Sequence, residues 1–228
     1  VLISADAACD FLFMLWRSMW AAQQRQSGAA FAGKEGQKIG ADCLSIVSSP
    51  MHPGCPIRYR FDNEGMPVAH TRLMDRGVFR SLMHNRSTAL ERGITSTGNA
   101  GRRVTMSGVV QVPLLVTPKV LYIEAGEKSR AGLLEMAGSG LVIETILDSF
   151  HGIDYSSGEF SVPVMCSVIR AGEICAAGGA LVWSGSLQDV LRSVRAAGSE
   201  MHFSCFRDSY TLGAPDLLVQ SQTFSGGG

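Results

Sequence analysis

Net charge is the first thing this chain lacks: its 228 residues carry 20 Lys+Arg against 20 Asp+Glu. There is no dense basic run either, which removes the electrostatic footprint of a nucleic-acid binder. No stretch is long and apolar enough to read as a membrane span. The longest apolar run, Phe11 to Trp16, falls far short of the ~20 residues a bilayer requires, and Arg17 follows it. The opening residues contain Asp6 and Asp10 and no Lys or Arg up to Trp16, so they do not read as a secretory signal. Cys9, Cys43, Cys55, Cys166, Cys175 and Cys205 are scattered, with no Cys-x-x-Cys pair and no regular framework. Reduced thiols in a cytoplasmic protein are the expectation.

Several motifs are missing too. Gly28 to Glu35 has glycines and a lysine at phosphate-loop spacing, but Glu35 stands where the magnesium-holding hydroxyl belongs. No nucleophile elbow is present. His52 and Cys55 fall three apart in a Pro-rich turn region, yet no further ligands stand at a recognisable spacing, so a solvated loop is the better reading.

What is present is a packed chain: 46% hydrophobic and 18% charged residues argue for a globular core and against disorder. The length suits one large domain or two small ones. The chain opens on an apolar Val-Leu-Ile without an initiator Met, so upstream residues are expected to be missing.

Periodicity predicts a strand at Val1 to Ser4 and a helix from Asp6 to Gln26. Its apolar residues, among them Phe11, Leu15, Trp16 and Trp20, cover nearly the whole circumference. Such a helix is either buried in the core or laid against a partner. Strands are predicted at Cys43 to Val47, Val109 to Val116, Val120 to Ile123 and Leu217 to Val219. A hairpin over Val68 to Leu82 is predicted to turn at Met74 to Arg76. Short helices are read at Asn85 to Arg92, at Glu127 to Met136 behind Ser129, and from an Ser186 N-cap to Gly198. Between Gly140 and Gly185, apolar runs alternate with turns at Ser156 to Gly158, Ala171 to Glu173 and Gly178-Gly179.

Two places could carry chemistry. Asp62 and Glu64 alternate, which puts both carboxylates on one face of an extended segment; they fit acid/base work, cation binding, or a solvated turn closed by Gly65. Ser96, Thr97, Gly98, Asn99 and Ala100 form a small-residue loop. It can expose backbone N–H groups to a peptide or an anion, or serve as a plain tight turn.

Taken in order, these segments resemble the C-terminal domain of the TldD/TldE (PmbA) family, once called modulators of DNA gyrase and now regarded as a two-subunit metallopeptidase system. The series comprises the strand at Cys43 to Val47, Phe61 to Gly65, the hairpin with Gly77-Val-Phe79, and Ser96 to Ala100. It continues through Leu121 to Gly126, Gly140 to Thr145, Ser157 to Ser161, Arg170 to Ile174 and Gly185 to Leu191, covering nearly the whole of residues 1–228. The resemblance implies an α+β fold, mainly antiparallel and barrel-like sheet with a few flanking helices. It also implies that the family's N-terminal domain is absent from this chain.

In that family the TldD-like subunit is catalytic and carries His-Glu-x-x-x-His on the first helix of this domain. Two imidazoles on adjoining turns bind zinc there and the Glu activates the metal-bound water. The corresponding helix here, Cys9 to Trp20, has no His and no Glu, and none of His52, His70, His84, His151 and His202 belongs to such a motif. The resemblance therefore implies a TldE/PmbA-type subunit with no catalytic or metal residues of its own. Zinc is expected in a TldD-like partner, the pair forming a heterodimer around an extended peptide substrate. Ser96 to Ala100 would touch that peptide, and Phe11, Leu15, Trp16 and Trp20 the partner; neither nucleic acid nor membrane is implied. Cys205, with His202 before it, lies where TldD-like subunits use a further ligand. On a strand the two point to opposite faces, which makes them a poor chelate. Val164 to Val168 and Cys175 to Gly178 depart from the family's aromatic runs and imply a diverged member, one serving peptide or small-metabolite maturation. Two other readings stay open: an enzyme using Asp62, Glu64, Asn99 or Cys205, and a structural homodimer.

Overall fold

The computed structural model describes residues 1–23, 29–102, 114–206 and 210–226. The chain begins with β1 (Leu2–Ile3), α1 (Ala5–Gln23), β2 (Ile46–Ser48), β3 (Thr71–Asp75), β4 (Val78–Phe79) and α2 (Arg86–Arg92). There follow β5 (Ala100–Gly101), β6 (Leu115–Val116), β7 (Val120–Ile123), α3 (Arg130–Ala137), β8 (Gly140–Ile146), β9 (Glu159–Arg170) and β10 (Glu173–Ser186). The last part holds α4 (Leu187–Ser193), β11 (Val194–Ala197), β12 (His202–Phe206), β13 (Tyr210–Ala214), β14 (Leu217–Val219) and β15 (Thr223–Ser225).

The strands form a seven-stranded sheet, β11-β14-β1-β8-β9-β10-β15, a six-stranded sheet, β12-β13-β7-β2-β3-β4, and the small pair β5-β6. Only β1 with β8 and β13 with β7 run parallel; the other pairs of the two large sheets are antiparallel. The architecture is the α+β class the sequence implies.

α1 lies between the two sheets, packed on β8 of one and on β12, β13 and β7 of the other. That position explains its sequence. With a sheet on either side, Ala7, Ala8, Leu12, Met14 and Leu15 are all fully buried, so the apolar stripe must run round the helix. One core joins α1 to Ile143, Val162, Val164 and Trp183 on one side and to Ile46, Leu73, Leu121 and Leu212 on the other. α3 flanks the larger sheet, its Leu133 packing against Leu2, Val142 and Leu218. The last three residues of the predicted first helix, 24–26, and residues 109–113 of a predicted strand lie outside the described residues.

Local signals set most boundaries. Asn85 caps α2 through its side chain on the Thr88 N–H, and Gly93 ends it at φ 66°. Ser129 caps α3 and Ser186 caps α4 in the same manner. The β9–β10 hairpin turns on Ala171 and Gly172, both at positive φ (50° and 79°), as a two-residue loop with right-handed strand twist requires. Along β9, Phe160, Val162, Val164 and Cys166 alternate inward.

Two boundaries differ from expectation. The β3–β4 hairpin turns at Arg76-Gly77, with φ of 44° and 73°, because Asp75 pairs with Val78; Met74 and Asp75 stay in the ladder. α4 stops at Ser193, not at Gly198, because Val194, Ala196 and Ala197 pair with β14 and sheet pairing outcompetes one more helical turn. No helix among the described residues is long and apolar enough to cross a membrane.

Candidate functional site

Side-chain hydrogen bonds tie the entry to α1 to β8, α3 and the segment before β14. Ser4 Oγ accepts from the Ala7 N–H at 3.2 Å and donates to the Glu144 carbonyl at 2.7 Å. Asp216, just before β14, accepts the Ala5 N–H on Oδ1 at 2.7 Å, while its Oδ2 receives Arg130 Nη1 at 2.7 Å. A carboxylate thus sits where the helix dipole is positive.

Beyond this entry, Asp6 and Asp10 lie one turn apart on α1. His202 Nε2 from β12 is 3.7 Å from Asp6 Oδ1, and Ser149 Oγ donates to Asp10 at 3.2 Å. Burial, reinforced by the charge of Asp6 and opposed by the Ser149 bond, pushes the Asp10 carboxyl up to about 6. Between them Cys9 is buried, its Sγ 3.6 Å from the Leu212 carbonyl and 3.7 Å from that of His202. Burial pushes this thiol up to about 12, so it is neither a nucleophile nor a ready metal ligand near neutral pH.

An aromatic wall continues the site. Phe13 lies 4.7 Å from Phe150 and 6.1 Å from Tyr210, and Trp16 lies 5.2 Å from Tyr210, centroid to centroid. The loop bearing Ser149 and Phe150 is organised by Asp148, whose carboxylate accepts the N–H groups of Phe150 and His151 and faces the His151 ring nitrogen at 2.8 Å. Those bonds hold the Asp148 carboxyl down at about 2. Ser18 clips the far end of the same loop to α1 by donating to the Tyr155 carbonyl. β12 is the end strand of its sheet, and among the described residues no strand pairs with its outer edge.

A catalytic zinc, implied by the metallopeptidase resemblance, requires three protein ligands with one position left for water. The donors here do not fit it. Cys9 is spent on carbonyls, Asp6 and His202 are half-exposed, and among the described residues no group of three His, Cys, Asp or Glu is placed to hold a metal.

The other sequence-predicted residues serve the fold. Asp62 is buried: Oδ1 accepts the N–H groups of Glu64 and Met66, and Oδ2 accepts that of Ala100 at 2.8 Å. Glu64 accepts the first N–H of α2, from Arg86. Asn99 is fully buried; it bonds Ser48 and receives the Thr97 hydroxyl. The loop read as gripping a peptide is tied into the fold. The N–H groups of Thr97 and Asn99 go to the His84 carbonyl, that of Gly98 to Ser96 Oγ, and that of Ala100 to Asp62, so Thr97 to Ala100 spend their backbone donors within the chain. Phe11 and Leu15, read as partner-facing, are buried within the chain's own core. Trp16 is 6% exposed and Trp20 is partly buried. Cys205 is exposed on β12, 3.7 Å from the Thr211 hydroxyl directly opposite, and it does not meet His202, which points to the other face.

Sequence reasoning missed four residues. The four-residue spacing of Asp6 and Asp10 signalled a shared helix face. Asp216, more than two hundred residues from the helix it caps, carried no signal. Lys119 is buried, 2.6 Å from Asn63 Oδ1 and over the Tyr59 ring at 5.7 Å; burial lowers its pKa against the pull of Asp62.

Comparison with known proteins agrees with this fold. The family model of the PmbA/TldA metallopeptidase C-terminal domain matches residues 1–226. A metalloprotease of Methanothermobacter thermautotrophicus is 28% identical over 210 residues, which cover 88% of this chain and 44% of the relative. The TldD homolog of Buchnera aphidicola, also a metalloprotease, is 21% identical over 212 residues, 89% of this chain and 42% of the relative. The chain thus spans less than half the length of either. Among solved structures, TldE from Thermococcus kodakarensis superposes with a TM-score of 0.86 at 20% identity, covering 99% of this chain and 49% of that one. A proposed modulator of a DNA gyrase from Thermotoga maritima gives 0.84 at 28% identity, covering 98% and 49%. The chain belongs to the PmbA/TldA metallopeptidase C-terminal domain family.

Proposed function

We propose that this chain is the non-catalytic, TldE/PmbA-like half of a two-subunit zinc metallopeptidase. It shapes the cavity in which a TldD-like partner, bearing His-Glu-x-x-x-His and the zinc, cleaves an extended peptide. One observation carries the reading: α1 has Asp6, Cys9 and Asp10 along its first turns and no His or Glu anywhere in Ala5–Gln23, within a family named for a metallopeptidase. The chain's own part is to bind and to orient. The open edge of β12 can add a peptide strand through backbone hydrogen bonds, beside the aromatic wall of Phe13, Phe150 and Tyr210. The half-exposed carboxylate of Asp6 favours a basic residue on that strand. A cytoplasmic site of action and a role in peptide or small-metabolite maturation complete the proposal.

Co-expression with a TldD-like chain tests it. The expected result is a one-to-one complex that hydrolyses an unstructured peptide, with no hydrolysis by this chain alone. Hydrolysis by the isolated chain, or a partner that ignores it, overturns the reading.

A further inference from the structure

Two cysteines far apart in sequence meet on the face of the six-stranded sheet that turns away from α1. Cys205 of β12, Thr211 of β13 and Val120 of β7 stand directly opposite one another across three neighbouring strands. The Cys205 sulfur lies 3.7 Å from the Thr211 hydroxyl. Residues 49–57, which leave β2, fold back over this face. His52 packs on the rings of Tyr122 and Phe203, at 4.7 Å and 4.8 Å between centroids, and Cys55 is buried in a small core with Val47, Val120 and Tyr122. The Cys55 thiol donates to the Ile57 carbonyl at 3.0 Å and also bonds the Thr211 hydroxyl. Two sulfurs that share one hydroxyl are no more than two hydrogen-bond lengths apart, and rotation about χ1 brings such a pair toward the ~2 Å of a disulfide.

The two thiols are unequal. Cys205 is exposed and Cys55 is buried, so an oxidant in solution meets Cys205 first. Burial raises the pKa of Cys55 and the Cys205 sulfur adds to the rise, against the Ile57 carbonyl, the Arg58 charge and the Thr211 hydroxyl. Cys55 therefore stays a thiol near neutral pH. The remaining cysteines are held elsewhere: Cys43 on the Val194 carbonyl, Cys175 on the Val168 carbonyl, and Cys9 and Cys166 in the main core. An exposed cysteine poised beside a second one is the arrangement of an oxidisable thiol and its resolving partner.

We propose that Cys55 and Cys205 form a reversible disulfide in response to a peroxide, fastening residues 49–57 to the end strand β12. The peroxide gives one oxygen to the Cys205 sulfur, which becomes a sulfenic acid, and the other oxygen leaves as water. The Cys55 sulfur then attacks the Cys205 sulfur. The S–S bond forms as the S–O bond breaks, and the departing oxygen takes the Cys55 proton and leaves as a second water. Two thiols are oxidised by the loss of two hydrogens, and the peroxide is reduced to two waters. A dithiol reductant reverses the bridge, as suits a transient bond in a reducing compartment. The bridge does not depend on the function proposed above.

The reduced full chain, treated with stoichiometric hydrogen peroxide, alkylated and digested without reductant, tests it by mass spectrometry. The expected product is one cross-linked peptide pair holding Cys55 and Cys205, from monomeric protein and reversed by dithiothreitol, with Cys43 and Cys175 alkylated. In Cys55→Ser, dimedone should trap Cys205 as the sulfenic acid at least about fivefold more than in the parent. Hydrogen exchange over β12 (His202–Phe206) should slow at least about tenfold once the bridge forms. No Cys55–Cys205 pair, an equal yield of other pairs or of cross-linked chains, trapping of Cys205 unaffected by Cys55→Ser, or exchange in β12 unchanged by the bridge overturns the proposal. The cross-link and the exchange are read on the parent chain, so a variant that fails to fold does not shield it.

Discussion

Replacing Asp216 by Ala removes the carboxylate on which α1 begins. Two interactions are lost together: the bond from the Ala5 N–H and the pair with Arg130, both 2.7 Å, at a residue 8% exposed. A charge-assisted hydrogen bond contributes ~1.5–3 kcal/mol, and a partly buried anion at a helix N-terminus up to ~2 kcal/mol. The two overlap, so the expected loss is about 2–3 kcal/mol. Arg130 is 41% exposed at its side chain, so it returns to water without a further penalty, and Arg130→Met should cost under ~1 kcal/mol. Asp216→Asn keeps an acceptor and loses the charge, placing it between these. In urea, with an m-value near ~3 kcal/mol/M for a chain of this size, the midpoint of Asp216→Ala should fall by roughly 0.7–1 M. Midpoints of Asp216→Ala and Asp216→Asn both within ~0.2 M of the parent at unchanged m would refute the idea that this carboxylate anchors the central helix.

Asp10 gives a pH-dependent test. Burial raises its pKa in the folded chain to about 6, above the ordinary 3.8, so the folded state binds the proton more tightly and stability falls as pH rises from about 4 to 6. Asp10→Asn should therefore stabilise at pH 7.5 by about 1–2 kcal/mol, a figure discounted for the group's partial exposure, and the gain should vanish below pH ~4; a gain independent of pH contradicts the assignment. Gly77→Ala places a Cβ 2.1 Å from the Gly40 carbonyl oxygen at φ +73° and should cost at least ~2 kcal/mol; a thermal midpoint equal to the parent's refutes the turn geometry. Of the free cysteines, Cys43, Cys175 and Cys205 are exposed and Cys9, Cys55 and Cys166 buried, so a thiol reagent should modify the first three quickly and the others only on unfolding. Rapid modification of Cys9 would contradict its place between the sheets.

Features written within a few residues of one another were legible in the sequence. Asn85, Ser129 and Ser186 announced their helices, and the all-round apolar Phe11 to Trp20 a helix covered on every side, in the core or by a partner. Features that depend on distant partners were not. Gly198 looked like a helix end, yet β14 claims Val194 to Ala197 as a strand. Asp62 and Asn99 looked available for chemistry because nothing nearby in sequence showed that Ala100 and Ser48, 38 and 51 residues away, would occupy them. β12 and β13 went unread because His202 to Ala214 lacks a clean apolar alternation, and their pairing is fixed by α1 and β7. The site was legible mainly through what α1 omits; the neighbours His202, Ser149 and Asp216 come from over a hundred residues away.

The most direct test of the central claim is metal content. The purified chain, loaded with zinc and freed of excess, is measured by plasma mass spectrometry, alone and after assembly with a partner bearing His-Glu-x-x-x-His. The account predicts no stoichiometric zinc in the chain alone, one zinc per assembled pair, and loss of that zinc when the partner's histidines are replaced. One zinc per chain in the absence of a partner, removed by His202→Ala or Cys205→Ala, would contradict it.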